Sequence, residues 1–377
     1  MKKVLVAAAL FITCAATSLF GFEWGGLVNN LSNVTTSDFK VIAPYQSNGV
    51  YLWMNAPITS DKSLRFSAEG VYKYDLVFDA KNTKFTNVID LNLLKVTGNW
   101  GINGSNLNLE GGRFFVSDKT GRIFSQNSDG VSVRYGNIDW NAGFYIGYTG
   151  LLNSFTVVMS DTPSANSEQL YNLCYGYIPV MADFSFTNLG DNSLTAQVSL
   201  FADMTGNGAH KGYFGLSGNG ALGSFGAYDA KVAVGTENFK NIMLAANLDF
   251  SFFLGKNMVA SVGAEYASGD SNIFSSFRSI TYKPLHSSSV ADEGVDLLVP
   301  RITGMIYWNN VCLSANEKII ISIPSSGVVL NGFDTSIDII YNVFSDLQLG
   351  CTLNAYANLK DKQSNRFGVT LNAAMAF

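Results

Sequence analysis

The sequence predicts an all-β fold: a transmembrane antiparallel up-and-down β-barrel of about eighteen strands, with sixteen as the alternative. Three observations carry this. Apolar and polar side chains alternate with period two through most of the 377 residues, as expected of strands with one face in hydrocarbon and the other in water. Beyond residue 21 no apolar run reaches the ~18–20 residues a membrane-crossing helix needs. A closed barrel is then the remaining way to cross, because every backbone N–H and C=O in hydrocarbon must be paired within the protein. Finally, the links between alternating segments are short and long by turns, as in barrels with tight inner turns and longer outer loops.

The first residues stand apart. Met1-Lys2-Lys3 is a short basic segment, Val4 to Ala16 is apolar, and Thr17 to Gly21 carries side chains small enough for a signal-peptidase site. Residues 1–21 therefore read as a signal peptide, cut after Gly21 or after Ser18, and residues 22–377 as one barrel domain.

The strands follow in order. Phe22 to Leu31 and Val50 to Pro57 open the barrel. Leu64 to Phe78 sets Phe66, Tyr72, Tyr74 and Leu76 against Arg65, Glu69, Lys73 and Asp75 on the other face. Val88 to Val96, Asn106 to Phe115, Gly130 to Gly136 and Asp139 to Tyr148 complete the first group. Val180 to Leu189, Leu194 to Met204, Lys211 to Ser217, Phe225 to Gly235, Ile242 to Phe253 and Met258 to Ala267 form the second. The last group is Leu298 to Trp308, Val311 to Ser322, Phe333 to Val343, Leu347 to Leu359 and Phe367 to Phe377. With the first strand running outward, the inner connections are Ile58 to Ser63, Thr97 to Ser105, Asn137-Ile138, Gly190 to Ser193, Gly218 to Ser224, Leu254 to Asn257, Asn309-Asn310 and Phe344 to Asp346. The outer ones include Ser32 to Gly49, Val116 to Asp129, Thr149 to Pro179, Ser268 to Leu297 and Ile323 to Gly332. Aromatics fall where girdles belong: Trp140 and Trp308 at inner strand ends, and Tyr72, Tyr74, Tyr148 and Tyr266 at outer ones.

The series opposite the apolar one gives the candidate pore lining: Arg65, Glu69, Lys73, Asp75, Asp90, Glu110, Arg134, Asp203, Asp229, Lys231, Asp249, Glu265, Arg301, Asp334 and Asp338. Such a lining implies water inside the barrel. Its carboxylates outnumber its cations about two to one, which favours neutral or cationic solutes over anions, and opposed acidic and basic sides would set a transverse field. Two outer loops of about thirty residues, Thr149 to Pro179 and Ser268 to Leu297, are long enough for one to fold inward. In the second, Phe274, Phe277, Arg278, Tyr282 and Lys283 are the constriction candidates.

Other chemistries find little support. Removing Lys2 and Lys3 takes the formal net charge from −5 to −7, which disfavours a nucleic-acid partner. Cys174, Cys312 and Cys351 are odd in number and widely spaced, unlike a disulfide framework or zinc site. Gly218-Asn219-Gly220-Ala221-Leu222-Gly223 matches the dinucleotide fingerprint, but a strand rather than a helix should follow it. With only His210 and His286, and His210 near Asp203 the one acid-base pair in view, no enzyme, metal or cofactor is expected.

Arg366 to Phe377 alternates almost without fault and ends on phenylalanine, and so resembles the C-terminal insertion signal of Gram-negative-type outer-membrane barrels, Phe377 being its last residue. With the signal peptide and the alternation, the chain resembles the porin-like outer-membrane β-barrel superfamily, including substrate-specific porins and the alginate-export type. Leu109-Glu110-Gly111-Gly112-Arg113-Phe114-Phe115 and Phe277-Arg278-Ser279-Ile280-Thr281-Tyr282-Lys283-Pro284 are similar to segments of uncharacterised spirochaete barrels. The resemblance implies a passive channel for small hydrophilic solutes in the outer membrane of a diderm bacterium. Its expected partners are outer-membrane lipid, the barrel-assembly machinery, those solutes and further copies of itself in a homo-oligomer. The rival reading is a surface adhesin or structural barrel with a blocked lumen and ligand-binding outer loops.

Overall fold

The computed structural model describes residues 21–37, 40–41, 44–78, 83–149, 176–204, 206, 208–271, 273–281, 296–324, 327–360 and 365–377; all of the expected signal peptide but Gly21 lies outside them. The strands are β1 (Glu23–Ser37), β2 (Tyr45–Pro57), β3 (Leu64–Phe78), β4 (Thr83–Ile102), β5 (Ser105–Ser117), β6 (Ser125–Gly136), β7 (Trp140–Tyr148), β8 (Tyr177–Leu189) and β9 (Asn192–Asp203). They continue as β10 (Lys211–Ala221), β11 (Gly226–Glu237), β12 (Met243–Phe253), β13 (Met258–Ala267), β14 (Leu297–Trp308), β15 (Val311–Ser322), β16 (Val329–Asn342), β17 (Leu347–Asn358) and β18 (Arg366–Ala376). A two-residue piece, Lys40–Val41, extends the ladder on Thr36 and Ser37 of β1. Each strand pairs antiparallel with its sequence neighbours, and β1 pairs with both β2 and β18, so the wall is a closed ring of eighteen.

At the seam, Leu27 to Ser37 of β1 lie opposite Ala376 to Arg366 of β18. Phe377 completes the closure: its amide donates to Gly26 O at 3.0 Å and its carbonyl accepts from Gly26 N at 2.9 Å. Its ring lies over the bare Cα of Gly26, where an added Cβ would come within 2.3 Å of ring carbon Cζ. Deleting Phe377 removes both hydrogen bonds and the ring contact, an expected loss of roughly 2–3 kcal/mol. A lowered urea midpoint of the folded barrel in vesicles measures this, and an unchanged midpoint would refute it.

Several boundaries differ from the sequence expectation for local reasons. The inner connection expected at Thr97 to Ser105 shrinks to Asn103-Gly104, since pairing runs out to Ile102 opposite Ser105. Both residues have positive φ (50° and 79°), the two-residue hairpin turn that Asn-Gly favours. The outer connection expected at Ser32 to Gly49 is likewise shorter, with β1 reaching Ser37 and β2 starting at Tyr45. No helix follows Gly223. Residues 218–221 finish β10, Gly223 (φ 64°) turns the chain, and β11 begins at Gly226.

Side chains alternate across the wall, and of its register irregularities the one between β3 and β4 changes the lining. Between β3 and β4 the register slips, so that Glu69 faces Leu93 while Gly70 faces Leu91. This bulge at Asn92 moves the inward series from even to odd numbers. Asp90 and Lys95 therefore both point inward, whereas strict alternation from Asp90 would have sent Lys95 outward. On the outward series Glu317 accepts a hydrogen bond from Thr335 Oγ1 at 2.5 Å. Arg113 grips Asp129 through two bonds of 2.7 and 2.8 Å and, largely buried, also comes within 3.9 Å of inward Asp90. A carboxylate thus does occur on the lipid side of the wall, with a partner on the adjacent strand.

The buried apolar core lies within the barrel. Ile123, Phe124, Phe277 and Ile280 from two outer loops pack on inward-facing Tyr177, Met181, Phe201, Tyr213 and Met243 of β8 to β12. That arrangement draws both loops into the lumen.

Candidate functional site: the lumen and its constriction

Among the described residues, the loop between β5 and β6, residues 118–124, reaches into the lumen. Asp118, 3% exposed, organises it. One carboxylate oxygen accepts from the amides of Ile123 (3.0 Å) and Phe124 (2.8 Å). The other accepts from the amide of Thr120 at 2.9 Å and from its hydroxyl. Asp118 N also donates to Phe124 O at 2.8 Å, and Gly121 takes φ 66° at the tip. One buried carboxylate thus satisfies three backbone amides that the turn leaves without ladder partners.

This loop is fastened on two flanks. On one, Lys119 N donates to Gln197 Oε1 at 2.8 Å, and its ammonium lies 3.5 Å from Asp183 of β8. Burial pulls the Lys119 ammonium below the usual lysine range; nearby Asp183 opposes this and Arg134 adds to it. On the other, Arg122 Nη2 lies 2.6 Å from Glu265 Oε1, and Glu265 and Asp249 also hold Arg301. The second loop closes over this side. Amides of Ile280 and Thr281 donate to Ile123 O at 2.8 and 3.2 Å, Thr281 Oγ1 accepts from Ser125 N at 3.0 Å, and Tyr213 OH donates to Arg278 O.

Asp118 to Phe124, part of the outer connection expected at Val116 to Asp129, thus joins the second loop inside the barrel. Of the constriction candidates, Phe277 is buried edge-on against Tyr213, with ring centroids 6.2 Å apart. Phe274 sits in a small turn through bonds to Ser271. Arg278 turns to the rim, where its guanidinium meets Glu237 at 3.3 Å. Tyr282, Lys283 and His286 lie outside the described residues, as do Cys174 and most of the Thr149 to Pro179 loop.

On the wall, Lys73 sits 3.6 Å from Asp75, Lys231 2.9 Å from Asp229, and Arg134 3.8 Å from Asp183. Glu69 accepts from Asn92 at 2.8 Å, and Asp90 lies 3.9 Å from Arg113. Asp338 accepts from Thr352 and Ser314 hydroxyls; Asp334 faces Lys318 across the β15–β16 ladder. Arg65 lies near Glu23 and Lys62 at the inner end. Asp203 Oδ2 accepts from Ala209 N, while His210 Nδ1 accepts from Asp203 N. The imidazole thus meets a backbone amide of Asp203 through Nδ1, not its carboxylate.

Lys95, Lys119, Arg122, Lys211 and Lys318 are lumenal cations that the sequence reading missed. Lys95 pairs with Glu110 at 2.6 Å, and Lys211 lies 5.3 Å from the Tyr177 ring centre. Against them stand two further carboxylates, Asp118 and Asp183. The twofold acidic excess becomes near balance, with cations and carboxylates interleaved around the ring instead of segregated. Beneath the inward loop, a cavity of about 150 Å³ is lined by Glu110, Lys119, Ser132, Arg134, Asp183 and Gln197.

No protein-family description matches the chain, and no curated protein does. Its fold is similar to those of solved Pseudomonas aeruginosa proteins. With OccK8 (OprE) the TM-score is 0.65 at 10% identity, with 94% of this chain and 98% of that one covered. OpdK, solved with vanillate, gives 0.63 at 11% identity over the same shares, and OpdQ gives 0.61 at 13%, again over the same shares. At such identities the likeness speaks for the shared eighteen-strand architecture.

Proposed function

We propose that this protein is an outer-membrane, porin-like channel through which small hydrophilic solutes diffuse passively, and that it has no enzymatic role. The observation that carries this is the closed wall with a polar inward face and a loop tied across its lumen by Lys119 and Arg122. Its likeness in fold to OpdK, named an outer membrane protein, supports the location. In this reading residues 1–21 direct export, Phe377 marks the chain for the assembly machinery, and the fifteen wall residues from Arg65 to Asp338 line the path. Homo-oligomers would pack through the outward series. Reconstitution in planar bilayers tests the proposal: discrete conductance steps of stable size are expected, while a silent bilayer would favour the adhesin reading.

The balance of lumenal charge shapes a second expectation. A cation preference was legible in the wall residues alone, but the added lysines and Arg122 offset it, so cation and anion permeabilities should differ by no more than about threefold. Reversal potentials in a potassium chloride gradient measure this. A strong selectivity of either sign would show that one segment of the lumen outweighs the rest.

A further inference from the structure

On the outside of the barrel, at the outer ends of β9 to β11, the wall is indented. Leu200, Ala202 and Thr236 border a groove of about 180 Å³ whose floor is Gly212, with His210, Asn238 and Phe239 at its outer end. Leu200, Ala202, Gly212 and Thr236 all belong to the outward series. A Cβ on Gly212 would meet Leu200 Cδ2 at 3.4 Å and Thr236 Cγ2 at 3.7 Å. The groove is therefore the space that a side chain at 212 would occupy, and nearly all of its surface is apolar.

The turn above it is unusual. Lys240 N donates to Glu237 O at 3.1 Å, closing a tight turn whose central residues, Asn238 and Phe239, have φ of 53° and 57°. Glycine is the usual choice at the second of these positions, and a bulky aromatic there is a conformational outlier. This phenylalanine is 84% exposed, so packing within the barrel does not account for it. Beside it, His210 Nδ1 accepts from Asp203 N at 3.1 Å, which places the proton of a neutral imidazole on Nε2 as a donor. Lys240 is exposed in the same turn.

We propose that this groove binds one phosphate-bearing membrane lipid, with an acyl chain over Gly212 under the Phe239 ring and its phosphate at His210 and Lys240. The occupant follows from position: the groove opens on the hydrocarbon-facing side of the wall, and its polar donors stand only at the outer end, as a lipid's own polarity requires. The inference rests on the membrane reading above.

The test uses the full barrel in liposomes containing phosphatidylglycerol with a diazirine on its acyl chain. After photolysis, labelling of the peptide carrying Leu200 is expected to exceed that at the similarly exposed Phe144 and Ile146 by about fivefold. Gly212→Leu should abolish the excess and leave conductance unchanged, and Phe239→Gly should reduce it. Diacylglycerol with the same diazirine should show no preference. Uniform labelling, or an excess that survives Gly212→Leu, overturns the site, and equal excess with diacylglycerol overturns the phosphate contact. A conducting barrel with uniform labels refutes this inference alone; a silent barrel unlabelled on every outward strand refutes the membrane reading as well.

Discussion

Asp118→Ala is expected to raise single-channel conductance on the order of twofold to threefold, because an eighteen-strand barrel has a wide interior that the inward loop narrows. Removing the carboxylate leaves the buried amides of Thr120, Ile123 and Phe124 without their acceptor. An unsatisfied buried donor costs about 1–3 kcal/mol, so three exceed what the ties at Lys119 and Arg122 can offset. The loop then leaves its place and the aperture widens. Asp118→Asn keeps one acceptor oxygen and should give an intermediate conductance. The ladders of the wall do not involve this side chain, so heat-resistant migration of the folded barrel should persist. Unchanged conductance in Asp118→Ala would mean that the loop is not the narrowing element.

The second large effect is expected at Gly112, where substitution by alanine should destabilise the barrel by about 3–5 kcal/mol. Gly112 has φ 127°, a region largely reserved for glycine, and an added Cβ would lie 2.1 Å from Leu94 O and 3.0 Å from Lys95 Cα. Both obstacles are backbone, so β4 must move. It would do so where its ladder with β5 ends, at Leu94 opposite Arg113. The adjacent Gly111 is the control: nothing lies within 4 Å of its Cβ position, and Gly111→Ala should cost less than about 1 kcal/mol. Urea titrations of both variants in vesicles decide the matter, and equal midpoints would contradict the argument.

These cases show what periodicity makes legible. The strands were visible because each must present one face to hydrocarbon and the other to water, and Phe367 to Phe377 was placed within one residue of β18. The bulge was missed although it left a trace, the adjacent apolar pair Leu93-Leu94 beside Lys95, where alternation breaks. Asn103-Gly104 is a two-residue hairpin signal lying inside the longer turn expected at Thr97 to Ser105. The inward loop was harder. Asp118 to Phe124 is short and mostly polar, and only Ile123 and Phe124 hint at a buried surface, whereas length drew attention to the two thirty-residue loops. Its burial depends on Gln197, Asp183 and Glu265, contributed by strands far along the chain, and no local pattern encodes such a meeting. The charge balance is hidden for the same reason, since Lys119 and Arg122 belong to the lumen only once the loop has folded in.

Fastening the loop on opposite flanks also bears on how the current through one molecule would fluctuate in time. A strap held at a single end swings, and each excursion modulates the flow of ions as flicker. Held at Gln197 and Asp183 on one side and at Glu265 and the Ile280 backbone on the other, this strap is pinned at both flanks, and the recorded trace should be quiet between openings.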